Sequence, residues 1–257
     1  MPSTPSPTWS SEVRTYAIGD IHGQIDELAR AHARIAADRR RQGDEAAPVV
    51  HLGDLVDRGP ASAEVIDFLR KGPAQGGPWI MLRGKHDFMF ALFLADPLLH
   101  DPGLRPDLGW LDRPLGGRAT LASYGVGTDE ARDLPDIWAE AQARVPPSHR
   151  VFLDNLPLLH RTAETVFVHA GIRPGVPLIA QDPQDLMWIR KGWLEDASDH
   201  GLLVVHGHTA LDEPRHHGNR VNLDSGAGYG RPLTAAVIEG RDVWILTEDG
   251  REPLLPG

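Results

Sequence analysis

Five short apolar runs of this chain each end in an Asp or a His that stands close to a glycine. Apolar runs of this length, bounded by glycine, are typical of buried strands. The polar ends of the five runs are Gly19–Gly23, Gly53–Gly59, Arg83–Asp87, His169–Gly171 and His206–Thr209. Open α/β sheets bind ligands at the carboxyl ends of their strands. The pattern therefore predicts an α/β fold with a metal or phosphate site where these strands end.

The second of these ends, Gly53-Asp54-Leu55-Val56-Asp57-Arg58-Gly59, carries the most chemistry. It follows the apolar run Pro48–Leu52 and precedes Ala61–Lys71, where apolar residues recur at helical spacing. Asp and Gly are also ordinary turn residues, so the motif alone would favour a simple connection. Together with the other four ends, it predicts a loop that presents two carboxylates and an arginine to a ligand.

Length and charge narrow the class of protein. With 257 residues and no visible linker, we expect a single domain over residues 13–257 after a disordered tail over residues 1–12. The tail lacks the basic and apolar regions of a signal peptide, and no apolar run approaches the ~20 residues that span a bilayer. We therefore expect a cytoplasmic protein. The formal net charge of -10 argues against nucleic-acid and membrane partners, which bind through clustered Lys and Arg.

The chain contains no cysteine. This excludes disulfides, thiolate metal sites and a cysteine nucleophile. Any bound metal must then be held by His, Asp, Glu or Asn, and the polar strand ends supply such residues.

Apolar spacing and glycine or proline breaks predict the remaining elements. The expected helices are Gln24–Gln42, Asp87–Leu94, Asp133–Arg144, which Pro146-Pro147 would end, and Asp185–Leu194. The expected strands of the last third are Leu202–Val205, Arg220–Leu223, Thr234–Ile238 and Val243–Leu246. Residues 95–118 are rich in Pro, Gly, Asp and Arg without periodicity, and such a long loop in a compact domain is typically functional or mobile.

Three further motifs, Thr120–Gly125, Asp185–Arg190 and Asn222–Gly226, stand in order among the five strand ends. Together these motifs resemble the bacterial branch of the phosphoprotein-phosphatase family, within the calcineurin-like metallophosphoesterase superfamily. The resemblance runs from about Tyr16 to about Ile238. It implies a four-layer α/β/β/α sandwich of two mixed β-sheets flanked by helices. The pattern alone predicts only an α/β fold with a strand-rich last third.

The resemblance implies a site for two divalent metal ions. Asp20 and His22 would bind the first ion, Asp54 would bridge both, and His169 and His208 would bind the second. Asp-x-His suits a strand end, because residues two apart point to the same side. Two such ions clamp a phosphate and activate a water. We expect manganese, which oxygen and nitrogen ligand sets of this kind accept.

The resemblance also implies roles in phosphate chemistry. His86 would be the general acid that protonates the leaving oxygen, and Asp57 would hold it in place and raise its pKa. Arg58 and Arg190 would bind phosphate oxygens, for which a planar and permanently charged guanidinium is well suited.

Other histidines are expected to be structural. The resemblance assigns the metal-binding role to His208, so His206 is expected to support the site or the core. His51 would lie one residue inside a strand, and His216-His217 would form a solvated turn.

Lys85 departs from the family, which has Asn at this position as a ligand of the second metal. A protonated lysine has no acceptor, and its charge would lie beside a dication. Three outcomes are open. The ammonium could replace part of the charge of an empty second site, the site could be weakly filled by Asp54, His169 and His208, or Lys85 could swing outward. A natural lysine and an introduced one are equally compatible with the sequence.

Three functions follow. The leading expectation is a metal-dependent phosphomonoester hydrolase acting on phosphoserine or phosphothreonine of a protein, or on a small phosphate ester, and impaired if Lys85 disables the second metal site. The alternatives are a symmetrical dinucleoside tetraphosphate hydrolase and a pseudoenzyme that binds phosphoproteins. A closed nucleotide pocket beside residues 95–118 would favour the tetraphosphate substrate, and an open groove would favour a protein.

Overall fold

The computed structural model describes residues 14–74 and 77–257, so the expected disordered tail over residues 1–12 lies outside the described residues. The described strands are β1 (Thr15–Ile18), β2 (Val49–His51), β3 (Trp79–Met81), β4 (Leu159–Arg161), β5 (Thr165–Val168), β6 (Leu203–His206), β7 (Arg215–His216), β8 (Arg220–Asn222), β9 (Ala235–Glu239), β10 (Asp242–Leu246) and β11 (Arg251–Pro253). The described α-helices are α1 (Ile25–Gln42), α2 (Ser62–Ala74), α3 (Lys85–Ala95), α4 (Gly117–Ser123), α5 (Leu134–Arg144), α6 (Pro147–Asp154) and α7 (Pro183–Trp188).

The strands form two mixed sheets. One has the order β11-β10-β9-β1-β2-β3, in which β1, β2 and β3 are parallel and the other pairs are antiparallel. The other has the order β4-β5-β6-β8-β7, in which β5, β6 and β8 are parallel. Parallel strands end at the same edge of a sheet, so the loops after β1, β2 and β3 come together, as do those after β5 and β6.

Alternation of side chains along the strands builds the layers. In β1, Tyr16 and Ile18 pack against the helices on one face, whereas Ala17 joins the apolar cluster between the two sheets. In β5, Phe167 enters the same cluster between the sheets, whereas Val166 and Val168 pack on the outer face with residues of α7. The predicted four-layer sandwich is therefore confirmed.

Helices α1 and α3 show how the sequence positions the site. Helix α1 has acidic residues in its first turn and arginines in its last turn, as the helix dipole favours, and Gly43 ends it in the left-handed conformation at φ 65°. Helix α3 is apolar on most sides and packs Met89, Phe90 and Phe93 into the core. Its burial fixes its first residues at the end of β3.

Two expectations about local structure are wrong, and a third is confirmed but incomplete. Helix α7 ends at Trp188 and not at Leu194, because the backbone of Ile189 leaves the helical region at φ -58° and ψ 134°. Pro146-Pro147 ends α5 as expected, but Pro147 also begins α6, since proline is well tolerated at the first position of a helix. His216 is not in a solvated turn, because it pairs with Val221 in β7 and is buried. None of the described helices combines the length and apolar character needed to cross a membrane.

Candidate active site

The predicted metal ligands lie together at the carboxyl ends of both sheets. Nε2 of His169 is 3.3 Å from Oδ1 of Asp54, and Nε2 of His22 is 3.6 Å from Oδ2 of Asp54. The backbone N–H of His208 donates to both oxygens of Asp20 at 3.2 and 3.0 Å. All five of these side chains are buried. The structure thus brings residues 20, 22, 54, 169 and 208 to one place.

Unusual backbone conformations concentrate at this place. The non-glycine residues with positive φ among the described residues are His22, Asp54, Asp57, Arg58 and His208, with φ between 48 and 73°. All of them are predicted site residues. A non-glycine residue in this region of φ is strained by roughly 1–3 kcal/mol, and such strain typically clusters at functional sites.

Close approach requires glycine at two positions. A Cβ on Gly84 would lie 2.2 Å from the backbone N of Asp54, and a Cβ on Gly207 would lie 1.9 Å from Oδ1 of Asp20. The glycines of the strand ends therefore let one loop lie directly against the carboxylate of another.

The hydrogen bonds of two histidines fix which nitrogen faces the site. Nδ1 of His22 donates to the carbonyl of Val56 at 2.9 Å, and Nδ1 of His169 donates to the carbonyl of Leu52 at 2.9 Å. Each neutral imidazole therefore presents the lone pair of its Nε2 to the site, as metal-binding histidines do. In His22 this lone pair accepts a hydrogen bond from Nη1 of Arg58 at 2.6 Å.

The unpartnered groups fit a cation. Nε2 of His169 and both ring nitrogens of His208 are buried without a hydrogen-bond partner among the described residues. Because two acceptors, Nε2 of His169 and Oδ1 of Asp54, face each other, a positive charge between them would stabilise the arrangement. One oxygen or nitrogen each from Asp20, Asp54 and His169 lie within 4.8 Å of one another. The donor set therefore fits a divalent ion.

The buried carboxylates interact strongly. Burial raises the pKa of Asp20 well above its ordinary value, and the neighbouring carboxylates of Asp224 and Asp54 add to this effect. Burial acts to raise the pKa of Asp54 as well, but the nearby His169, Lys85 and His86 hold it well below its ordinary value. Asp54 is thus held in its charged form, in contrast to Asp20.

Lys85 lies inside the site. Its side chain is 5% exposed, and its ammonium pairs with Oδ2 of Asp54. The outcome in which Lys85 swings outward is therefore wrong for this structure. Lys85 is also the first residue of α3, where the helix dipole disfavours a cation, so the pairing with Asp54 must offset that cost. The ammonium lies on the carboxylate that was expected to bridge two metals.

His86 and Asp57 form a buried pair, with Nδ1 of His86 2.6 Å from Oδ2 of Asp57. We expected Asp57 to raise the pKa of His86, but burial lowers that pKa well below its ordinary value, and the carboxylate that acts against burial is Asp54. Burial raises the pKa of Asp57 well above its ordinary value, although hydrogen bonds from Thr120 and Trp110 act against it. Nε2 of His86 has no partner among the described residues, so it remains free to hold or give up a proton.

Sequence reasoning missed two residues that support this pair. Thr120 donates to Oδ1 of Asp57 at 2.6 Å, and the indole N–H of Trp110 donates to Oδ2 of Asp57 at 2.8 Å. Thr120 belongs to a motif that had no assigned role. Trp110 lies in the segment without periodicity, where a large aromatic residue was the only available signal.

The two arginines differ in placement. Arg58 is half-buried beside His22, as described above. Arg190 is exposed, and its Nη2 lies 3.5 Å from the carbonyl oxygen of His208. Arg58 therefore lies within the site and Arg190 lies at its edge.

The segment of residues 97–118 borders a cavity of about 410 Å³, whose lining includes Met89 and Phe93 of α3, Leu98, and Trp110. Trp110 also donates a hydrogen bond to Asp57, so its side chain links this cavity to the site.

The chain is similar to known phosphoesterases in sequence and in fold. The sequence profile described as calcineurin-like phosphoesterase matches residues 13–238. A relative from Bacillus subtilis (strain 168), named bis(5'-nucleosyl)-tetraphosphatase PrpE [asymmetrical], is 27% identical over 238 residues, covering 84% of this chain and 87% of the relative.

Solved structures share the fold. A crystal structure named as a candidate diadenosine tetraphosphatase has a TM-score of 0.61 at 20% identity, and covers 98% of this chain and 97% of its own. A cold-active protein-tyrosine phosphatase from a Shewanella species has a TM-score of 0.62 at 15% identity, covering 96% of this chain and 81% of its own.

Proposed function

This chain belongs to the calcineurin-like phosphoesterase family, and from that premise we propose that it is a metal-dependent hydrolase of dinucleoside tetraphosphates. Membership of this family makes the chain a metallophosphoesterase hydrolase. We propose a dinucleoside tetraphosphate as the substrate because this chain is similar, over most of both chains, to a relative named as a tetraphosphatase.

We propose that Asp20, His22 and Asp54 hold one divalent ion, and that Arg58 releases Nε2 of His22 when the ion binds. A bound ion would lower the pKa of a water and neutralise phosphate charge. His169 and His208 have free nitrogens for a second ion, but the ammonium of Lys85 lies on Asp54. Two like charges beside one carboxylate repel each other, so the residues fit one ion better than two. Lys85 would then supply part of the positive charge at the second position.

The remaining residues act on the phosphate. Arg58 and Arg190 bind its oxygens, Arg58 from within the site and Arg190 from the edge. Asp57 orients His86 through Nδ1, and Nε2 of His86 gives a proton to the leaving oxygen. Trp110 keeps Asp57 in place, because its indole N–H donates a hydrogen bond to Oδ2 of Asp57, the same oxygen that Nδ1 of His86 contacts.

The test is hydrolysis of diadenosine tetraphosphate, a phosphothreonine peptide and p-nitrophenyl phosphate in the presence of manganese. We expect diadenosine tetraphosphate to have the highest kcat/KM, and His86→Gln to lose most of the activity. His160→Gln, a change in the edge strand β4, is the matched control and should retain it. Product analysis would show two ADP for symmetrical cleavage, or ATP and AMP for asymmetrical cleavage.

A higher kcat/KM for the phosphopeptide would overturn the proposal. It would favour the second candidate function, a serine/threonine protein phosphatase. The exposed guanidinium of Arg190 favours that candidate, because a phosphate on a protein surface could reach it. Absence of turnover with all three substrates would favour the phosphoprotein-binding pseudoenzyme. Manganese, a protein partner and the cytoplasmic location stay predictions.

A further inference from the structure

An exposed aromatic ring lies beside the candidate phosphate-binding arginine. The side chain of Tyr229 is 61% exposed, and the guanidinium carbon of Arg58 lies 4.8 Å from the centroid of its ring. Among the large hydrophobic residues that are exposed in the described part of the chain, Tyr229 is the one aromatic residue. An aromatic face next to a cationic group is the combination with which proteins bind a base beside its phosphate.

The position of this ring is fixed by the turn that carries it. Tyr229 ends a short 3-10 helix, Ala227–Tyr229, which lies between Gly226 and Gly230, both at φ 82°. A side chain on Gly228 would not fit, because its Cβ would lie 2.6 Å from Cδ2 of His22. The turn therefore packs directly against the site, and the exposure of Tyr229 does not come from a loose loop end.

The surrounding hydrogen bonds hold the same turn. The N–H of Gly226 donates to Oδ1 of Asp224 at 2.9 Å, and Nη1 of Arg231 donates to the carbonyl of Leu211 at 2.6 Å. A ring presented to solvent by a fixed turn loses little freedom when it stacks on a ligand, so stacking would be favourable.

We propose that Tyr229 is a specificity-determining residue whose ring stacks on a nucleobase of the substrate while Arg58 binds an adjoining phosphate. This inference rests on the proposed function, since it concerns the nucleoside of the same substrate. In a nucleotide, a single ribose separates the base from the first phosphate, so a ring and an arginine that are neighbours can contact both. Stacking on Tyr229 would therefore favour nucleotide substrates over phosphate esters that have no base.

Kinetics of Tyr229→Ala and Tyr229→Phe test the inference. The loss of one base-stacking ring should raise the KM for diadenosine tetraphosphate about tenfold relative to the KM for p-nitrophenyl phosphate. Tyr229→Phe should keep the wild-type ratio, because the ring remains. Equal changes with both substrates would mean that Tyr229 only positions Arg58, and would overturn the inference, as would no change with either.

A binding measurement does not depend on turnover. Calorimetry with ATP and with inorganic tripolyphosphate compares ligands that differ by the nucleoside. We expect Tyr229→Ala to weaken ATP binding about tenfold more than tripolyphosphate binding, and equal weakening would overturn the inference. If the wild type hydrolyses p-nitrophenyl phosphate but not diadenosine tetraphosphate, the proposed function itself fails, and the inference about Tyr229 fails with it.

Discussion

Replacing Lys85 by Asn should remove the ion pair between Lys85 and Asp54 and allow a second metal ion to bind there. Lys85 is 5% exposed and pairs with Asp54, which is fully buried. The positive charge of Lys85 also acts to lower the pKa of the carboxyl groups of Asp20 and Asp224. Lys85→Asn removes this buried cation and provides an amide oxygen, the ligand that the related family has there.

The expected cost in the metal-free protein is large. Removing one partner of a buried ion pair destabilises a protein by about 3–5 kcal/mol, because the other charge stays buried without compensation. For a chain of this size each kcal/mol shifts the Tm by roughly 2–4 °C, so we expect the Tm of Lys85→Asn in EDTA to fall by roughly 10 °C. Binding of one manganese ion, at a concentration 100 times its dissociation constant, should raise the free energy of unfolding by about 2.7 kcal/mol.

Differential scanning fluorimetry in EDTA and in manganese measures these shifts, and mass spectrometry of the metal counts the bound ions. We expect about one ion per wild-type chain and about two per Lys85→Asn chain, with higher activity in the variant. Lys71→Asn is the matched control. Its ion pair with Asp67 is exposed on both sides, so the change should cost less than about 1 kcal/mol and leave the metal count unchanged.

One pattern of results would refute the reasoning. If the wild type binds two manganese ions and gains as much Tm from them as Lys85→Asn does, then Lys85 leaves Asp54 on metal binding and the ammonium does not replace an ion.

Two further predictions concern Asp57 and Asp38, a buried carboxylate of α1 that accepts hydrogen bonds from Tyr16 and Arg251. Trp110→Phe removes the N–H that holds Asp57 and should lower kcat by about tenfold with an altered pH profile, whereas Trp138→Phe should not, since the indole N–H of Trp138 has no partner among the described residues. Hydrogen bonds from Arg251 and Tyr16 outweigh burial and lower the pKa of Asp38, so its stabilisation is present at neutral pH and is lost as the pH falls below its ordinary value of 3.8. Asp38→Asn should therefore lower the free energy of unfolding by roughly 3 kcal/mol at pH 7 and by much less near pH 2, and an equal loss at both pH values in urea unfolding would contradict this.

The ends of the strands that border the site could be predicted from the sequence, whereas α4, α6, β4, β7 and β11 were not predicted. Apolar runs such as Pro48–Leu52 and the glycines that follow them are local signals, and they mark where a strand ends. Because parallel strands end at one edge, the polar residues of separate loops come together wherever such a sheet forms. This is why Asp20 and Asp54, which follow β1 and β2 of one sheet, could be expected near each other. His169 follows β5 of the other sheet, so its approach depends on how the two sheets pack, and the metal-binding roles of all three residues stay predictions.

The contacts that refine the site depended on the tertiary structure. Trp110 and Thr120 reach Asp57 from 53 and 63 positions away, and no local period specifies how the intervening segment closes. The same holds for Tyr229, whose ring meets Arg58 only after β9 pairs with β1 and brings the chain back to the first sheet. Local sequence determines which residues follow a strand, but the packing of distant segments decides which of them touch.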